Sequence, residues 1–111
     1  MQIISLNKET FRGQVNHGIT LIVFYSLESE SSQSQLTTVE DLVQEVRYQA
    51  NIAKVDIDSD KELATEYGVL SVPTLMLFKD GYQLETWVGP QSKETLKQKI
   101  IEYATMGDSC V

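Results

Sequence analysis

Cysteine and histidine are almost missing from this chain of 111 residues. The sequence contains a single cysteine, Cys110, and a single histidine, His17. One cysteine excludes an internal disulfide, and it also excludes a zinc site built on pairs of cysteines. We therefore predict a protein with no metal site and no bound cofactor.

Basic residues and long apolar runs are scarce as well. Nine lysines and arginines stand against sixteen aspartates and glutamates, for a net charge of -7, and this balance disfavours nucleic acid and anionic membranes as partners. The longest apolar run, Ile19 to Phe24, is interrupted by Thr20 and is far too short to span a bilayer. Residues 1–10 have neither the basic leader nor the apolar stretch of a signal peptide. The prediction is a cytoplasmic protein that binds neither nucleic acid nor membrane.

The composition that remains is typical of a folded domain. Hydrophobic residues make up 41% of the chain and charged residues 23%, which are ordinary values for a globular protein. No break in composition divides the chain, and its length suits one buried core. We expect residues 1–111 to form a single domain, with residues 106–111 as a flexible tail.

Strand-like and helix-like patterns alternate along the chain. The run ITLIVFY, residues 19–25, is typical of a strand buried on both faces, and a long helix follows the polar residues 26–35. The other predicted elements are a short helix between Asn7 and Gly18, a strand in residues 51–58, a helix capped by Ser59 or Asp60, a hairpin turning at Asp80 and Gly81, and a last helix from Ser92 with an apolar stripe of Leu96, Ile100, Ile101 and Ala104. This order predicts an α/β fold with a central mixed sheet of four to five strands and helices on both faces.

Two segments of the sequence resemble the thioredoxin family. They are YGVLSVPTLMLFKDG, residues 67–81, and VGPQSKETLKQKI, residues 88–100, and with the order of elements the resemblance covers nearly the whole chain. It implies a thioredoxin fold in which Pro73 is cis and lies beside the active site. The alternative for Pro73 is that it only starts an edge strand.

The resemblance fails where the family keeps its chemistry. It places Ser29 and Ser32 at the positions of the two redox cysteines, and further departures fall at Val23, Glu28, Glu30, Ser31 and Thr37. Disulfide exchange needs a thiolate, whereas a serine hydroxyl stays protonated and forms no disulfide. We therefore predict no catalytic residue in the chain as given, and no thiol–disulfide exchange at this site.

The serines have a structural interpretation. Serine is a preferred helix N-cap; Ser32 with Gln35 fits a capping box, and Ser29 could cap one turn earlier. A phosphoserine switch or an anion site is the alternative. A serine nucleophile would need a base within hydrogen-bond reach, and the one histidine, His17, is predicted on the loop before the central strand.

The resemblance also implies a groove for a protein or an extended peptide. It consists of the loop of the redox motif, the loop of the cis proline and the turn after the last strand: Glu28, Ser29, Glu30, Ser31, Ser32, Val72, Pro73, Gly89 and Pro90. Pairing with a peptide backbone needs no thiol. Trp87 either adds an aromatic anchor or packs between the last strand and a helix, and Glu28 and Glu30 favour basic partners. The predicted protein is a redox-inactive, peptide-binding monomer or weak dimer.

The sequence is also compatible with two other functions. The chain is a thiol–disulfide oxidoreductase of cell redox homeostasis if its serines replace the cysteines of an active parent, or if Cys110 takes part in exchange. It is a structural subunit if it oligomerises through a sheet edge or an apolar helix face, which an exposed hydrophobic patch would mark.

Overall fold

A computed structural model describes residues 3–106 of the chain. The elements in this range are β1 (Ile4–Ser5), α1 (Phe11–Val15), β2 (Ile19–Tyr25), α2 (Glu30–Val46), β3 (Asn51–Asp56), α3 (Lys61–Glu66), β4 (Thr74–Lys79), β5 (Tyr82–Val88) and α4 (Lys93–Met106). None of these helices is long and apolar enough to cross a membrane. Because α4 includes Met106, the rest of the predicted tail, with Cys110, lies outside the described residues.

The strands form one mixed sheet in the order β1-β3-β2-β4-β5. β2 runs parallel to β3 and antiparallel to β4, and β4 pairs with β5 as a hairpin. The predicted mixed sheet with helices on both faces is thereby confirmed. β1, which the sequence analysis missed, pairs with β3 through only two residues, and this is too short for a period of two to be recognised.

Every residue of β2 is buried because helices cover both faces of the sheet. On one face, Leu21 and Val23 pack with apolar residues of α2 and α4. On the other face, Ile22 and Phe24 pack with α1 and α3. Phe11 of α1 lies at the centre of this second core, with ring centroids of Phe24, Tyr67 and Phe78 at 6.3, 4.8 and 5.7 Å.

The β4–β5 hairpin turns at the two residues that the sequence predicts. Asp80 and Gly81 both have positive φ, 51° and 92°, as a type I′ turn requires. The Asp80 carboxylate accepts a hydrogen bond from the Gly18 N–H at 2.8 Å, and the Asp80 N–H donates to the Gly18 carbonyl at 2.9 Å. The turn is therefore fastened to the loop between α1 and β2.

The predicted stripe of α4 is partly wrong. Leu96 and Ile100 are buried, but Ile101 is 39% exposed. Ile101 points about 100° around the helix from Ile100 and lies at the edge of the stripe that the sheet does not cover. Tyr103 packs against the core in its place.

Two helix starts also differ in detail from the prediction. Asn7 accepts hydrogen bonds from the N–H groups of Glu9 and Thr10, but this makes a turn, and α1 itself begins at Phe11. The residue before α3 is Asp60, whose carboxylate makes no capping bond. It accepts instead from the backbone N–H of Lys8. The Asp60 carboxylate therefore binds a backbone group distant in sequence and not the first turn of its own helix.

Candidate functional site

The predicted groove residues meet at one end of the sheet. In register, Phe24 of β2 lies beside Thr74 of β4, and Thr74 lies beside Val88 of β5. Because β4 is antiparallel to both of its neighbours, the end of β2, the start of β4 and the end of β5 share one edge. The loops of residues 26–29, 68–73 and 89–92 therefore lie side by side, and we call this surface the groove end.

The loop before β4 holds a cis peptide bond between Val72 and Pro73. The Pro73 carbonyl accepts a hydrogen bond from the Gly89 N–H at 2.9 Å, which joins this loop to the turn after β5. In contrast, the N–H and C=O of the half-buried Val72 have no hydrogen-bond partner among residues 3–106. A backbone donor and acceptor are thus free at the centre of the groove end.

Ser29 is the N-cap of α2, and its hydroxyl accepts a hydrogen bond from the Ser32 N–H at 3.2 Å. The capping box of Ser32 and Gln35 is therefore wrong, because the helix begins one turn earlier. Ser32 is fully buried within the first turn, where its hydroxyl accepts from the Ser26 N–H at 3.3 Å. Both serines have structural roles.

Gln35 joins α2 to the turn after β5, although it was predicted to have a different role. Its side chain is 1% exposed. The amide Nε2 donates to the Gln91 carbonyl at 3.0 Å, and Oε1 accepts from the Gln91 N–H at 2.6 Å. We call this pair of bonds the Gln35 clasp. A polar residue four positions before Val39, on the apolar side of the helix, is the signal that could have revealed it.

A second polar contact supports the loop after β2. The Ser26 hydroxyl donates to the Asp58 carboxylate at 2.7 Å and accepts from the Glu28 N–H at 3.2 Å. The Asp58 N–H is in turn held by the Asp56 carboxylate at 2.9 Å. The contact links segments 32 positions apart, and no local pattern marks it.

The groove end is acidic. The segments that form it or adjoin it, residues 26–35, 56–60, 67–74 and 87–92, contain no lysine or arginine, and their acidic residues are Glu28, Glu30, Asp56, Asp58 and Asp60. Burial raises the pKa of Tyr25, and the Asp56 carboxylate beside it in register raises it further. Lys54 lies on β3, two residues before Asp56. Its ammonium is 5.5 Å from the centre of the Tyr25 ring.

Three apolar side chains near the groove are largely in solvent. Leu27, Leu70 and Val88 are 61%, 98% and 70% exposed, and each lies within two residues of Ser29, Val72 or Gly89. The sequence alone does not mark them, because an apolar residue in a loop gives no sign of its exposure. Trp87 is half-buried and packs against the core on the α2 and α4 side of the sheet.

The geometry excludes a serine–histidine pair. His17 precedes β2, whereas Ser29 follows it, and a strand of seven residues is about 20 Å long. Among residues 3–106, no group of three or more histidine, cysteine, aspartate or glutamate side chains is arranged to hold a metal ion. What the groove end offers is backbone pairing, apolar contact and negative charge.

Comparison with known proteins gives a consistent result. A family model described as Thioredoxin matches residues 2–102. Over 100 residues, the chain is 33% identical to a thioredoxin of Bacillus subtilis and 32% identical to one of Staphylococcus aureus, covering 90% of this chain and 96% of each relative. A solved mutant thioredoxin from Halobacterium salinarum superposes with a TM-score of 0.86 at 32% identity, over 93% of this chain and 91% of the other.

Proposed function

Because the chain belongs to the thioredoxin family and has the thioredoxin fold, yet carries serine at both redox positions, we propose that it is a redox-inactive member that binds an extended peptide. The peptide lies at the groove end and pairs with the backbone of Val72. The observation that carries this proposal is that the Val72 N–H and C=O have no partner within the described residues.

The loss of redox chemistry follows from the two serines. Without sulfur at positions 29 and 32, neither a mixed disulfide nor an intramolecular disulfide can form there. Val23, where the family resemblance implies a buried aspartate, is fully buried in the apolar core, so the site also has no group to move a proton at that position.

Peptide binding is supported by the way that strands recognise one another. A residue that offers both backbone groups to an extended chain can form two hydrogen bonds with it, as in one pair of an antiparallel ladder. The hydrogen bond between Gly89 and Pro73 and the two bonds of the Gln35 clasp hold the surrounding loops in place. Less conformational entropy is then lost on binding.

The redox half of the proposal is tested by reduction of insulin driven by dithiothreitol. The chain as given is compared with the Ser29→Cys, Ser32→Cys double variant and with a blank. We expect the unmodified chain to match the blank. Turnover by the unmodified chain would refute redox inactivity and direct attention to Cys110. Activity of the double variant alone would show that only sulfur is missing from the site.

The binding half is tested with a fluorescein-labelled heptapeptide, Lys-Leu-Val-Thr-Val-Leu-Lys, whose sequence is the same in either chain direction. Fluorescence polarisation compares it with two forms that are N-methylated at the odd or at the even positions, so that one backbone edge is blocked in each. Loss of two hydrogen bonds of about 1 kcal/mol each weakens binding roughly 30-fold. We expect this loss for one form and near-unchanged binding for the other. No binding of the parent peptide, or equal binding of all three, contradicts backbone pairing.

A further inference from the structure

We propose, on the basis of the binding function above, that the groove end selects extended segments that combine apolar residues with lysine or arginine. The apolar residues contact Leu70 and Val88, and the basic residues face Glu28 and Asp58. The selection comes from the distribution of side chains around Val72.

The apolar part of this surface lies on the β4 and β5 side. Leu70 is two residues before Val72, and Val88 lies beside Thr74 in register. These side chains are 98% and 70% exposed, so folding removes little of their apolar surface from water. Covering them with the apolar side chains of a partner removes the same surface from water and favours binding.

The acidic part lies on the β2 and β3 side. Glu28 lies in the loop after β2, and Asp58 follows β3 and accepts a hydrogen bond from the Ser26 hydroxyl. The four segments around the groove contain five carboxylates and no lysine or arginine. Lys8 bonds Asp60 through its backbone N–H, but its ammonium pairs with Glu62, so the fields of the groove carboxylates add. Such a surface attracts a cationic segment and repels an anionic one, and it acts on selection more than on total affinity.

The two parts are within reach of one short peptide. Three strand spacings separate β3 from β5 in the sheet order, which amounts to about 14 Å. An extended heptapeptide spans roughly 23 Å. One segment can therefore contact both parts while its middle pairs with Val72.

The experiment uses the full chain and four labelled heptapeptides in fluorescence polarisation. The first is Lys-Leu-Val-Thr-Val-Leu-Lys; the second and third replace both lysines with glutamine or with glutamate; the fourth replaces both leucines with serine. We expect the lysine form to bind about tenfold more tightly than the glutamate form at about 0.02 M salt. This preference should largely disappear at about 0.5 M salt. The serine form should bind about fivefold more weakly than the lysine form.

Variants of the protein assign the two preferences to their side chains. Glu28→Gln is expected to reduce the lysine-to-glutamate ratio about threefold, with little effect on the glutamine form. Leu70→Ser should weaken all three leucine-containing peptides about threefold. Tyr48→Ser is the matched control, because Tyr48 is 85% exposed and follows the far end of α2. It should leave every affinity unchanged.

The outcomes separate this inference from the proposed function. If all four peptides bind equally and one N-methylated form does not, backbone pairing stands and the preference for basic, apolar segments is refuted. If no peptide binds, both proposals fail. If the glutamate form binds as tightly as the lysine form at low salt, the acidic part of the surface does not select. If Leu70→Ser behaves like Tyr48→Ser, the apolar part has been assigned wrongly.

Discussion

Replacing Gln35 with methionine is the sharpest test of how the groove end is held together. Gln35→Met keeps an unbranched side chain of similar length and good helix propensity, but it removes both hydrogen bonds of the Gln35 clasp. The Gln91 N–H and C=O then lose their partners. We expect a less stable protein whose turn after β5 is no longer fastened to α2.

The magnitude follows from two hydrogen bonds and the degree of burial. Each lost bond costs about 1 kcal/mol, and a buried group left unpaired costs about 1 to 3 kcal/mol. Since Gln91 is only half-buried, water can reach its backbone in part, and we expect a total loss of about 2 to 3 kcal/mol. For a chain of 111 residues the entropy of unfolding is about 0.23 kcal/mol/K, so Tm should fall by about 9 to 13 °C.

Urea unfolding followed by circular dichroism gives the free energy of unfolding, and a thermal scan gives Tm. Gln44→Met is the matched control, because Gln44 is exposed on the same helix and its replacement should change stability by less than about 0.5 kcal/mol. If Gln35→Met is no less stable than Gln44→Met, the clasp does not stabilise the fold and our reasoning about the turn is refuted.

Two further predictions concern contacts away from the groove. Hydrogen bonds from Lys93 and, to a lesser extent, Lys97 lower the pKa of Glu45 from 4.5 to about 2. The ionised carboxylate therefore stabilises the fold at pH values above 4.5. This contribution is lost as the pH falls towards 2. Glu45→Gln should therefore be less stable than the parent chain at pH 7, and the difference, measured by urea unfolding, should narrow between pH 4.5 and 2. Asp80→Ala loses the side-chain bond to Gly18, and alanine adopts the positive φ of this position less readily than aspartate does, so we expect a cost of about 2 kcal/mol. Asp80→Asn keeps an oxygen acceptor and tolerates this φ, and it should cost less than about 1 kcal/mol.

Each of these predictions has a control and an outcome that contradicts it. Glu40→Gln removes an exposed carboxylate of the same helix, and its effect should not follow the pH course expected for Glu45→Gln. If the difference for Glu45→Gln persists unchanged at pH 2, the two lysines do not account for it. Equal stability of Asp80→Ala and Asp80→Asn would show that neither the hydrogen bond nor the backbone conformation of the turn matters.

Much of the fold could be predicted because its signals are local. The apolar run of residues 19–25 and the Asp80–Gly81 turn each specify an element within a few neighbouring residues. β1 could not be predicted, because its two residues pair with β3 only once the rest of the sheet exists. Ile101 was misplaced for a related reason. The spacing of apolar residues shows which residues form the apolar face of a helix. Which residues at the edges of that face are buried depends on how the helix packs on the sheet.

The segments that form the groove end could be named from the sequence, but the contacts that support them could not. The resemblance identified the segments around Ser29 and Pro73. The partner of Gln35 is 56 positions away in sequence, and the partner of Ser26 is 32 positions away. Such contacts depend on the register of the finished sheet, and no spacing within one segment encodes them.

The cap at Ser29 has a consequence for the history of the chain. If an ancestor carried cysteine at this position, the change to serine supplied one of the preferred N-cap residues, whose hydroxyl bonds the Ser32 N–H and stabilises the start of the helix. A return to cysteine would forfeit that gain before any activity was recovered, since a second cysteine at position 32 is also needed. Selection for stability alone would therefore oppose a return to cysteine at position 29.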